Sequence, residues 1–245
     1  MAFAHRTGRA SIFRHPTALH LQHLEAWYDV HVWSRLLDDC FFGNARFYLE
    51  RREGTSAATA ERRNRNRAAG ARLRLGSRAD GILRRVGDPR IEFGLIEAGR
   101  GFTSAQGTKW RDDCGKVARG LHDMLVRLNR ESGGRARVLR RLQVVGLVCA
   151  GTALQVRRLV CPGGHVCVLR TEQRLAVPTG VEGLVDLLRI VLAVLQVREV
   201  VEETERALRE GGGGDLMEEL RGDGEGEQKV DLRWFVDTDP ESRGE

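Results

Sequence analysis

The segment TKWRDDCGKVARGLHDMLVRLNRES, residues 108–132, constrains this chain more than any other. Trp110, Cys114, Val117, Leu121, Leu125 and Leu128 recur at three- and four-residue steps, which lays one apolar face along a helix. Thr108 is placed to cap its start and Gly133-Gly134 to stop it. Before it lies EFGLIEAGR. After it lies LQVVGLVCAG, a continuous apolar run of the kind found in a strand covered on both faces. Strand, helix and strand in that order predict a parallel pair joined by a right-handed crossover.

Around this unit the remaining elements fall into place. Residues 20–42 have helical spacing, with Leu24, Trp27, Val30, Ser34 and Leu37 expected on one face, and Gly43-Asn44 ends that helix. ARFYLER reads as a short strand. The stretch from Glu53 to Gly76 is polar and basic and reads as a loop or a marginal helix, too charged to be core. Strands are expected over about 78–85 and 91–98, turned by Gly87-Asp88-Pro89. A hairpin follows, TALQVRRLV and HVCVLRTEQ about Cys161-Pro162-Gly163-Gly164, and then a long, largely buried helix over 181–209. The expectation is an α/β domain with a helix-strand-strand-strand-helix-strand core and a mixed sheet, followed by a β-hairpin and a long C-terminal helix. It occupies residues 20–209, between a disordered leader (1–19) and an acidic, Gly-rich tail (210–245).

Charge is distributed unevenly. Between Arg51 and Arg90 stand 12 arginines and four acids, whereas from Glu199 to Glu245 stand 16 acids and six bases. A basic body of this kind attracts polyanions, nucleic acid first. Arg62, Arg63, Arg65, Arg67, Arg72 and Arg74 are the candidates to track a phosphate backbone. No aromatic residues are interleaved with them, so base stacking is not implied, and a solvated charge run or nuclear-import patch fits the same residues. The most apolar helix is interrupted by Asp186 and Arg189, so no membrane span is expected. Five irregularly spaced cysteines form no disulfide framework and point to a reducing compartment, nucleus or cytoplasm. Arg6, Arg9 and Arg14 without an acid faintly suggest a mitochondrial transit peptide. Cys161, His165 and Cys167 lack a fourth ligand for zinc and read as a plain hairpin.

The chemistry-bearing residues are concentrated in SRADGILRRVGDPRIEFGLIEAGR, residues 77–100. Asp80 in the first strand and Glu97 near the end of the second could hold a hard divalent cation such as Mg²⁺. The alternative for Asp80 is a strand charge paired with Arg78 or Arg90. In a regular strand Glu92 and Glu97 face opposite sides and cannot share an ion unless Gly94 marks a bulge. Glu92 is therefore expected to face solvent or pair with an arginine.

The element order, with RAD at Asp80 and IEAGR at Glu97, resembles the PD-(D/E)XK nuclease superfamily, the restriction-endonuclease-like fold. The segments EAWYDVHVWSRLLDDCF, GSRADGIL, EFGLIEAGR and TKWRDDCGKVARGLHDML also look like a group of uncharacterised fungal proteins sharing this core, over about residues 24–208. The resemblance implies Mg²⁺-dependent hydrolysis of nucleic acid at Asp80 and Glu97, with a nearby cation stabilising charge on phosphorus. The family's lysine position, two after Glu97, holds Gly99. Arg100 comes one residue later, and Lys109 and Lys116 on the following helix are the other candidates. The alternative for Lys116 is a solvated stripe with internal ion pairs. Glu25 is a candidate third acid. The missing lysine also suits a catalytically inactive copy of the fold that binds nucleic acid or protein.

Overall fold

The computed structural model describes residues 19, 21–212 and 229–232. The expected leader, apart from Leu19, and the expected tail, apart from 210–212 and 229–232, lie outside the described residues. The first helix, α1, begins with an α-helical turn, Glu25–Tyr28, continues as a π-helix over Asp29–Asp38 and closes with Asp39–Phe41. It is followed by β1 (Phe47–Thr55), α2 (Ala57–Asn64), β2 (Arg78–Arg85), β3 (Glu92–Gly99), α3 (Thr108–Glu131) and the short α4 (Ala136–Leu139). Then come β4 (Gln143–Ala150), β5 (Ala153–Val160), β6 (Val168–Thr171), β7 (Leu175–Ala176) and α5 (Leu184–Gly212).

The strands form one mixed sheet in the order β1-β2-β3-β4-β5-β6, with β7 paired to β5. Only β3 and β4 run parallel, and α3 is the connection between them. Arg84 and Arg85 show how the sheet is layered. Neighbours along a strand point to opposite faces. Arg84 pairs with Glu92 beside α2, while Arg85 pairs with Glu205 on α5. Thus α2 and α3 cover one face and α5 the other.

Close approach of α3 depends on two glycines. A Cβ at Gly120 would lie 2.4 Å from Leu95 Cδ2, and one at Gly146 would lie 2.4 Å from Val117 Cγ1. At Gly120 the obstacle is the end of the Leu95 side chain, whereas at Gly146 it is a methyl of the β-branched Val117, with Leu121 Cδ1 3.2 Å away, so Gly146 is the tighter constraint. Gly146→Val is therefore expected to destabilise the fold by about 1–3 kcal/mol, read as a lower denaturation midpoint at unchanged slope.

Four local expectations change. The N-cap position of α3 is held by Gly107 rather than Thr108, with no side-chain cap, and Thr108 is the first residue of the helix. The buried face of α1 is Tyr28, Val32, Trp33, Leu37 and Phe41, whereas Leu24 and Val30 are exposed. Leu24 precedes the helix; from Asp29 on the cause is the π-helical stretch, whose i→i+5 bonding moves the repeat to every fourth or fifth residue. The basic stretch after β1 is not wholly loop. Ser56 caps α2, accepting from Thr59 N at 3.1 Å, and Ala58 and Thr59 are buried. α5 is buried along one side only. Leu188 is 57% and Leu192 56% exposed, in a row with Leu184, Val185 and Leu195, because a helix on a sheet has one face turned away.

Lys229–Leu232, from the segment expected as a solvated tail, return to the domain. Val230 and Leu232 are buried, Val230 N donates to Gly134 O at 2.7 Å, and Asn129 Nδ2 donates to Val230 O at 2.8 Å. Among the described residues no helix is long and apolar enough to cross a membrane.

Candidate functional site

The site is assembled where β2, β3 and the first turns of α3 meet. Gly81 lies opposite Ile96, so one step further sets Asp80 opposite Glu97, on the same side of the sheet. Asp80 Oδ2 accepts from Ala98 N at 2.6 Å, which turns its carboxylate toward β3. Glu97 is 2% exposed and faces α3. Its Oε2 accepts from Lys116 Nζ at 2.7 Å, while Oε1 is buried with no hydrogen-bond partner. Burial pushes the Glu97 carboxyl up to about 7, against the lowering effect of Lys116 and with further upward pressure from Asp80 and Asp113.

Two more groups complete the cluster. Asp113 is buried and accepts from Lys109 Nζ at 2.8 Å. Glu25, at the start of α1, has its carboxyl raised by burial and then by Asp80, with Lys109 acting in the opposite direction. Lys109, Asp113 and Lys116 are spaced i, i+4, i+7 on α3, so one helix face presents all three to the strand ends. That spacing was the available signal for Asp113, which the sequence reading did not single out.

The other sequence candidates are dispersed. Arg100 is exposed and donates its Nε to His23 O at 3.2 Å. Lys109 is bound to Asp113 rather than to Asp80 or Glu97. Arg65, Arg72 and Arg74 are exposed on the loop after α2, and Arg67 donates to Ala71 O there. The loop is tied down by Asn64, whose Nδ2 donates to Arg74 O at 2.7 Å and whose Oδ1 accepts from Arg74 N at 2.9 Å.

Arg62 and Arg63 point into a cleft between α2, α3 and the start of β2. Arg78, Lys116 and Arg119 complete its basic lining. Its one acid, Asp123, is bound by Arg62 Nε at 3.0 Å, and burial pushes its carboxyl up to about 6 despite that arginine. Since Lys116 lines this cleft and also binds Glu97, the basic surface and the acidic cluster are continuous. The sequence reading gave Arg78 only as a partner for Asp80 and did not single out Arg119; they lie on β2 and α3 and meet Arg62 only through the fold.

Glu92 is excluded from the cluster. A bulge at Phe93, where Leu83 pairs with Gly94 but Arg84 with Glu92, brings it to the α2–α3 side of the sheet. There it is fully buried and binds Arg84 NH1 at 2.7 Å, Ser56 Oγ at 2.7 Å, Ala57 N at 2.8 Å and Ala58 N at 3.1 Å. Five residue steps along the strand separate it from Glu97, roughly 16 Å.

Among the described residues no group of three or more His, Cys, Asp or Glu side chains is arranged to hold a metal ion. Two carboxylates remain as donors. They suit Mg²⁺, a hard cation that takes one or two carboxylates and keeps several waters. The partnerless Glu97 Oε1 beside Asp80 is the atom that fits such a ligand. No protein family, curated protein or solved structure matches the chain.

Proposed function

We propose that this protein has a nuclease fold, binds nucleic acid along the basic cleft and hydrolyses phosphodiesters with Mg²⁺ at Asp80 and Glu97. One observation carries the reading. Lys116 reaches from α3 to Glu97 at 2.7 Å, supplying a cation where the strand has only Gly99, while Glu97 Oε1 stays buried without a partner. Asp80 and Glu97 would hold Mg²⁺. When bound, the ion polarises the phosphoryl oxygen and lowers the pKa of its water. Lys116 holds positive charge beside the same spot, where charge develops on phosphorus. Arg62, Arg63, Arg78 and Arg119 neutralise the flanking phosphates. Because the Glu97 carboxyl titrates near 7, its ligating form gains population as pH rises through that value.

A second reading, an inactive nuclease-like fold that binds nucleic acid or protein, is favoured by a different observation. Asp80 Oδ2 is committed to Ala98 N and Lys116 to Glu97, so both groups already have partners within the protein.

The test is Mg²⁺-dependent cleavage of single- and double-stranded DNA and RNA by the wild type, Asp80→Ala and Lys116→Ala. The rate is expected to fall about 10²–10³-fold in Lys116→Ala and below detection in Asp80→Ala. Equal cleavage by all three would remove this site. A wild type that cleaves nothing but binds with strong salt dependence would select the inactive reading. In either case Arg119→Ala is expected to reduce the salt slope of binding by about one.

A further inference from the structure

The β5–β6 hairpin carries chemistry unrelated to the acidic cluster. β5 and β6 pair from Arg157↔Thr171 to Val160↔Val168. Continued by one residue, this register sets Cys161 directly opposite Cys167. Glu172 N donates to Val156 O at 3.0 Å, so positions 156 and 172 form a hydrogen-bonded pair. Pairs alternate in kind along an antiparallel ladder, which makes 161 and 167 a non-hydrogen-bonded pair. In such pairs the Cα atoms are closest, about 4.5 Å apart, within the span of roughly 4.4–6.8 Å that a disulfide bridges. The two side chains are close enough for Cys161 to act on the Cys167 thiol, and both cysteines are free. The turn between them is set by Gly164, whose N–H donates to Cys161 O at 3.2 Å and whose φ is +80°.

We propose that Cys161 and Cys167 are a reversible dithiol pair that closes into a cross-strand disulfide in the presence of a low-molecular-weight disulfide. Cys161 is fully buried and Cys167 half-buried, so the oxidant meets Cys167 first. The Cys167 thiolate attacks one sulfur of the small disulfide and expels one thiolate. The Cys161 thiol then loses its proton, displaces the second small thiol and forms the Cys161–Cys167 bond. The protein loses two hydrogens, and the oxidant is recovered as two thiols. Burial, reinforced by Cys161, pushes the Cys167 thiol up to about 12, so the attacking thiolate is scarce at neutral pH and closure is slow.

The bond would clamp β6, which lies at the edge of the sheet, and the hairpin tip beneath the returning C-terminal segment. A side chain at Gly164 would meet Val230 Cγ2 at 3.6 Å.

The experiment treats the folded full-length protein with oxidised glutathione, alkylates the remaining thiols and maps the cysteines by mass spectrometry. A Cys161–Cys167 cross-linked peptide is expected, with Cys40, Cys114 and Cys149 alkylated. The closure rate should rise about tenfold per pH unit. Cys161→Ser should arrest at Cys167 bearing glutathione. The same treatment in guanidinium should give mixed pairings. Recovery of Cys161 and Cys167 as alkylated thiols from folded protein would overturn the proposal. So would the same pairings from folded and unfolded chains.

Discussion

Alanine at position 92 is expected to lower the unfolding free energy by about 3–5 kcal/mol. Glu92 is fully buried, and its two oxygens receive four donors: Arg84, Ser56 Oγ and the first two amides of α2. Removing it strands the buried Arg84 guanidinium against only Glu50 and the carbonyls of Thr55 and Pro89. It also leaves the positive end of α2 without its anion. Replacing both charges, as Arg84→Met with Glu92→Leu, should recover only part of the loss, because the α2 amides still lack an acceptor. Denaturant midpoints at constant slope measure both variants. A loss below about 1 kcal/mol for Glu92→Ala, the cost of an ordinary hydrogen bond, would contradict the assignment.

The second large effect has the opposite sign. Glu97→Gln is expected to stabilise the protein above pH 7 while abolishing Mg²⁺-dependent cleavage. The Glu97 carboxyl sits at about 7 when folded, against an ordinary 4.5, because it is buried. Its raised folded pKa means that its contribution is fully present below about 4.5, where it is protonated in both states, and is lost as pH rises through 7. The difference of about 2.5 units corresponds to about 3 kcal/mol. Glutamine cannot ionise, so its advantage over the wild type should be near zero at pH 4.5 and reach that size above pH 7. Mg²⁺ at pH 8 should in turn raise the melting temperature of the wild type, as a ligand of the folded state does, and leave Glu97→Gln unchanged. Parallel stability–pH curves for the two proteins would refute the buried ionisation, and an unmoved wild-type melting temperature would refute the metal.

Lys116 illustrates how a site residue can be legible in outline and decided in detail. Its place on a 24-residue amphipathic helix between two strands follows from spacing alone. Its 2.7 Å contact with Glu97 does not, because it requires α3 to lie close enough to the sheet. Gly120 and Gly146 permit that approach, and they belong to different elements that meet only after folding. Arg78 and Arg119 are the same kind of case: each looks like an ordinary surface charge until the fold sets them around one cleft.

By itself the sequence determined the order of the main strands and long helices, the α3 crossover between β3 and β4 and the two hairpins, and it left the partner of Asp80 open. What it determined follows from patterns repeated within a few residues. Tertiary structure alone decided three things. The π-helical winding of α1 changed which residues it buries. The bulge at Phe93 reversed the side on which Glu92 lies. Packing of α2 against that glutamate turned a strand charge into the anion at a helix start. In each case the outcome depends on hydrogen bonds and contacts between segments distant in the chain, such as the 36 residues between Ser56 and Glu92, and local periodicity carries no record of them.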